Sequence, residues 1–179
     1  GTIRKKYSVC MVGRISPIKH VELAIQAIKI LVREGVQVTL DIIGPVPQKD
    51  QLYFESLKKY VTENNLTKVV HFEGAISPEK IPEFYNSFEI CLNLTESGSF
   101  DKTIVESAAC GAMPLVSNKS FETLLPQKCL TSADPKSLAQ SIKVLLEPYN
   151  QVELQNDLKV FVEKQSLSGL INKFFVEIK

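Results

Sequence analysis

The chain has 179 residues, about one domain at the usual ~100–200 residues each, and is long enough to bury a core without disulfides or metal. Hydrophobic residues make up 44% and charged residues 23%, which excludes disordered, collagen-like and disulfide-scaffold classes. With 21 basic against 20 acidic side chains the net charge is +1, so no global field draws nucleic acid or an anionic membrane, and any anion must be recognised by local geometry.

Short apolar or β-branched runs bounded by turn residues mark five strands: Tyr7–Val12, Val38–Ile43, Val69–Phe72, Glu89–Leu94 and Met113–Ser117. Between them lie segments of helical period: His20–Glu34, where Leu23, Ala27, Ile30 and Leu31 share a face, then Gln51–Asn64, Pro78–Ser87 and Lys102–Cys110. Strict alternation of this kind predicts a Rossmann-like, doubly wound parallel α/β sheet with helices on both faces. The last third is predicted to be mainly helical, over Pro135–Leu146, Gln151–Lys164 and Leu167–Ile178, with Asp134 as N-cap and breaks at Pro148-Tyr149-Asn150 and Ser166–Gly169. No linker divides the chain, so residues 1–179 are read as a single domain.

Cys10, Cys91, Cys110 and Cys129 are widely spaced, with no C-x-x-C pair and no histidine at ligand spacing; they are expected to be reduced and mostly buried, and no metal site is expected. No apolar run reaches the ~18 residues of a membrane span, and the first six residues are too polar for a signal peptide, so the expected location is cytoplasmic.

Ligands of open parallel sheets sit beyond the carboxyl ends of the strands, so chemistry is sought in the loops there. The first, Gly13 to His20, lacks G-x-G-x-x-G, which argues against NAD or FAD. It offers instead Arg14 and Lys19, a planar fork and a point charge placed where both reach one anion at a helix start; two solvated surface charges are the alternative. Gly44–Asp50 reads as a turn and little more. Gly74-Ala75-Ile76-Ser77-Pro78 joins a glycine free to take positive φ to a Ser-Pro helix start, either a backbone-lined slot for a flat base or a simple capped turn. The loop from Thr95 to Gly111 is the richest: Ser97, Gly98 and Ser99 let a ligand approach the backbone, and the following helix start offers amides to an anion. Glu106, about one turn into that helix among small and apolar residues, suits the hydroxyl pair of a ribose, against the alternative of a solvated charge.

Taken together, Gly13-Arg14 with Lys19, Gly44-Pro45, and Glu106-Ser107-Ala108-Ala109-Cys110-Gly111 resemble the C-terminal half of a GT-B type retaining glycosyltransferase of the "glycosyl transferases group 1" family, with its E-x7-E motif. The resemblance runs from about Tyr7 to Glu122 and extends weakly into the C-terminal helices. It implies that Arg14 and Lys19 hold the diphosphate of a nucleotide-sugar and stabilise the leaving nucleoside diphosphate, as electrostatic catalysts needing no metal or separate cofactor. By the same resemblance Glu106 binds the ribose, Ser99, Phe100, Asp101, Lys102 and Thr103 present amides to phosphate or sugar, and Gly74-Ala75-Ile76 lie near the base. Gly98 stands where the motif's first glutamate usually contacts the donor sugar, which leaves the sugar open. His20 stands where a glycine is common, and Gly111-Ala112-Met113-Pro114 is one residue longer than the usual turn.

A GT-B enzyme has two Rossmann-like domains, so the resemblance implies that this chain is the donor-binding half of a hexosyltransferase, inactive alone. Its partners would be a nucleotide-sugar, with UDP expected from its frequency in the group, the N-terminal domain of the same enzyme, and a glycan or lipid-linked acceptor in polysaccharide synthesis. Membrane contact, at the inner face, would come only through the full-length enzyme. The alternatives are a GT-B-fold sugar-nucleotide epimerase and a non-catalytic nucleotide-binding or structural Rossmann module.

Overall fold

The computed structural model describes residues 4–95 and 101–165. Five strands form one all-parallel sheet: β1 (Ser8–Val12), β2 (Thr39–Ile43), β3 (Val70–Gly74), β4 (Ile90–Asn93) and β5 (Met113–Val116), in the spatial order β3-β2-β1-β4-β5. The chain builds outward from β1 to β3, then crosses back and lays β4 on the other side of β1. The order therefore reverses between β1 and β4, and their carboxyl ends flank the crevice where doubly wound sheets bind ligands. The expected Rossmann-like α/β architecture is what the structure has.

Alternation within each strand assigns side chains to two faces. Val9, Met11, Leu40, Ile42, Ile90, Leu92, Met113 and Leu115 join the larger core, which includes the buried stripe of α1 (Val21–Arg33) and that of α5 (Pro135–Leu146). Cys10, Ile43 and Cys91 point the other way, into a smaller cluster with Tyr85 and Phe88 at α3 (Ile81–Asn86). α2 (Gln51–Glu63), α4 (Lys102–Ala109) and α6 (Pro148–Gln165) complete the layers. All four cysteines are free thiols, and Cys10 and Cys91 lie in register on adjacent strands.

Element boundaries shift for identifiable reasons. Tyr7 has φ 57°, a left-handed conformation outside the extended region, so β1 starts at Ser8 although the Tyr7 carbonyl still accepts from Thr39 N at 3.0 Å. His20 likewise has φ 51°, which separates the 3-10 turn Pro17–Lys19 from α1. The segment expected as one helix over Pro78–Ser87 is a 3-10 turn, Pro78–Lys80, followed by α3, because Pro82 has no N–H to continue a ladder. Pro148-Tyr149-Asn150 is not a break: α6 begins at Pro148, since a proline is well placed in a first helical turn, and only Glu147 separates α5 from α6. Leu130 forms a lone parallel bridge to Val116, a rudimentary sixth strand at the β5 edge too short to register as an apolar run. The helix expected over Leu167–Ile178 lies outside the described residues.

Candidate functional site

Three strand-end glycines shape the crevice wall. Gly13 N–H donates to Ile43 O at 2.9 Å and Gly44 N–H to Gly74 O at 2.8 Å, so the loops after β1, β2 and β3 are tied side by side. Gly44, read from sequence as part of a plain turn, is a packing requirement: it is buried with φ +146°, and a Cβ there would lie 1.9 Å from the Gly13 carbonyl oxygen. The Gly13–Arg14 backbone can pass only because Gly44 has no side chain.

That backbone delivers Arg14 and Lys19 to the carboxyl end of β1, where they line one narrow crevice with Gly13, Asn93 and Thr95. Both residues therefore border the same crevice. Arg14 is exposed, and among the described residues its guanidinium has no hydrogen-bond or ion-pair partner. Lys19 runs back over Gly13, its Cε 3.6 Å from where a Cβ would stand, and its Nζ donates to Asp101 Oδ2 at 2.8 Å and to Thr95 Oγ1 at 3.0 Å.

Asp101 is the N-cap of α4, its Oδ1 accepting from Thr103 N at 3.2 Å and from Thr103 Oγ1 at 2.9 Å. Asn93 Nδ2 donates to Thr103 Oγ1 at 3.0 Å, and Thr95 N–H donates to Asn93 Oδ1 at 3.3 Å. Lys19, Asp101, Thr103, Asn93 and Thr95 thus close a ring of hydrogen bonds across the ends of β4, α4 and the β1 loop. Burial on its own would raise the Asp101 pKa, but hydrogen bonds from Lys19, Asn93 and Thr103 outweigh it and hold the carboxyl down at about 2. Asn93 and Thr95 were not singled out from sequence; the signal was a polar residue, only 6% exposed, ending an otherwise apolar strand.

The Thr103 amide, expected to face phosphate or sugar, is taken by Asp101, while Lys102 is exposed at the first position of α4. Glu106 is exposed on α4 on the same side as Lys102, and among the described residues its carboxylate has no hydrogen-bond partner. Gly74, at φ 71°, ends β3, two strands and so about 10 Å to one side of β1. Ala75 is exposed beside it, and Ile76 packs on the smaller core. Gly98, Ser99 and Phe100 lie outside the described residues. A roomier hollow of about 240 Å³ opens at the opposite, amino ends of β4 and β5, between Arg4, Glu89, Met113 and Leu158 of α6, and contains none of the expected site residues.

The fold is thus a doubly wound parallel sheet with Arg14 and Lys19 at its β1–β4 switch point, the place where ligands of such sheets bind. The profile of the family "Glycosyl transferases group 1" matches residues 2–165, and the chain belongs to that family. Two curated relatives are similar to it, both D-inositol 3-phosphate glycosyltransferases. That of Thermomonospora curvata is 28% identical over 117 residues, covering 62% of this chain and 27% of the relative. That of Acidothermus cellulolyticus is 25% identical over 155 residues, covering 82% and 35%. The chain thus spans about a third of the length of these relatives. Among solved structures, Anabaena Alr3699/HepE in complex with UDP and glucose superimposes with a TM-score of 0.81 at 22% identity, covering 97% of this chain and 48% of that one. The C-terminal domain of the group 1 family protein LpcC from Francisella tularensis gives a TM-score of 0.79 at 19% identity, covering 91% and 87%.

Proposed function

We propose that this chain is the nucleotide-sugar donor-binding domain of a retaining hexosyltransferase, with the diphosphate held at the β1–β4 crevice. The observation that carries this reading is the convergence of Arg14 and Lys19 on one side of the switch point, backed by membership of a glycosyltransferase family. Arg14 supplies a bidentate fork to phosphate oxygens and Lys19 a point charge. In transfer, the anomeric C–O bond breaks with its electron pair passing to the diphosphate, and the acceptor hydroxyl oxygen forms the new bond on the same face while its proton leaves to the diphosphate or water. Two cations fixed beside the leaving group favour the state in which that charge has developed.

Glu106, exposed on the first turns of α4 and without a hydrogen-bond partner among the described residues, accepts the ribose hydroxyls, and Gly74-Ala75-Ile76, two strands away, lie at the base end of an extended nucleotide. UDP is the nucleotide of choice, supported by Alr3699/HepE and a pneumococcal O-GlcNAc transferase having been solved with it. The acceptor, a glycan or lipid-linked sugar of a polysaccharide pathway, binds in the cleft formed with an N-terminal domain of the whole enzyme, and membrane contact comes through that enzyme. No helix among the described residues is long and apolar enough to cross a membrane.

Calorimetric titration of the chain with UDP, GDP and ADP, run beside Arg14→Ala and Glu106→Ala, tests the reading. Saturable binding of one nucleotide, weakened at least tenfold in each variant, is expected (about 1.4 kcal/mol each). Binding unaffected by both substitutions, or no binding at millimolar nucleotide, would favour a structural module.

A further inference from the structure

Lys19 is not an unencumbered cation: its Nζ is shared between the Asp101 carboxylate at 2.8 Å and the Thr95 hydroxyl at 3.0 Å, on side chains that are 23% exposed for Lys19 and 13% for Asp101. Asp101 divides its two oxygens between different tasks. Oδ1 caps α4 through Thr103, a role that Ser, Thr or Asn fills as well. Oδ2 goes to Lys19, and only a carboxylate supplies a full negative charge there. Capping therefore accounts for one oxygen of Asp101 and leaves its charge unexplained.

Resting on the donor-site reading, we propose that Asp101 is a built-in counter-ion that competes with the donor's diphosphate for Lys19, and so sets how tightly the nucleotide is held and how readily it leaves after transfer. It acts on the donor only through Lys19. Of the two crevice cations, Arg14 has no partner among the described residues, whereas Lys19 arrives already neutralised. A diphosphate that draws on Lys19 must either take it from Asp101 or accept a carboxylate beside it, and both lower affinity. When the product is a nucleoside diphosphate with more charge than the donor, a competing carboxylate favours its departure. Thr95 keeps hold of the ammonium when Asp101 lets go, so Lys19 stays over the crevice.

The discriminating variant is Asp101→Asn, which retains an oxygen for the α4 cap and removes the charge. Titrated with UDP and with inorganic pyrophosphate, Asp101→Asn is expected to bind both about tenfold more tightly than the natural chain, with slower UDP dissociation in stopped flow. That gain should vanish when Lys19→Met is added, because the effect runs through Lys19. A purely structural Asp101 predicts equal or weaker binding in Asp101→Asn with the natural chain binding normally, and that outcome overturns the proposal, as does a gain that persists in the double variant. Failure of the natural chain itself to bind UDP overturns the donor-site reading together with this one, whereas binding by the natural chain with none in Asp101→Asn overturns this proposal alone.

Discussion

Substituting Gly44 with alanine tests whether the strand-end glycines build the site. The added Cβ would stand 1.9 Å from the Gly13 carbonyl oxygen, 2.6 Å from its carbon and 3.3 Å from Arg14 N, all backbone atoms that no rotamer change can move aside. The Gly13 peptide would have to retreat by about 1 Å, an overpacking strain costing roughly 1–3 kcal/mol. Alanine at φ +146° adds about 1–2 kcal/mol of backbone strain. The expected loss of about 3 kcal/mol lowers Tm by about 10 °C for a domain of this size. Gly35→Ala is the control: φ is +77° but nothing lies within 4 Å of the new Cβ, so only the conformational part remains, about 1 kcal/mol. Thermal and urea unfolding followed by circular dichroism give the two values side by side. Because the displaced peptide carries Arg14, UDP affinity should fall in Gly44→Ala and hold in Gly35→Ala. Equal stability losses in the two variants, with UDP affinity intact, would refute the packing argument.

Asn93→Ala removes both bonds of a buried amide and should cost about 1–3 kcal/mol in chemical denaturation. A cost under about 0.5 kcal/mol would mean the polar ring is not formed in solution. Asp101, whose folded pKa of about 2 lies below its ordinary 3.8, contributes stability that is present above about pH 4 and lost as pH falls through about 2. Lys19→Met should raise that pKa and shallow the acid limb of the stability curve, read by carboxyl NMR titration; an unmoved pKa would count against the ion pair. Tyr85 is fully buried with an Oη that has no hydrogen-bond partner among the described residues, so Tyr85→Phe should be stabilising by about 0.5–1 kcal/mol, and a loss of more than that would show the hydroxyl to be satisfied.

Much of the fold was legible in the sequence because its strands are buried on both faces and read as apolar runs, with helical period between them. Leu40, Ile42, Ile90 and Leu92 are all core residues, and strand bounds shifted by one or two positions where a single backbone angle intervened, as at Tyr7. Arg14 and Lys19 were legible as a pair because they stand five positions apart in one loop. The partner of Lys19 was not: Asp101 lies 82 residues away, and nothing local in either segment announces an ion pair that only the β1–β4 neighbourhood creates. The packing requirement at Gly44 was hidden for the same reason, since it comes from the loop of the neighbouring strand rather than from its own turn. His20, noted as standing where a glycine is common, has a left-handed φ, so the sequence comparison had located a backbone constraint without naming it.

A crystal structure of this chain soaked with UDP would show where the diphosphate sits. The diphosphate is expected at the carboxyl ends of β1 and β4, within hydrogen-bond distance of the Arg14 guanidinium and Lys19 Nζ, with the ribose toward Glu106. Nucleotide found instead in the hollow between Arg4 and α6, at the amino ends of the strands, would contradict that placement.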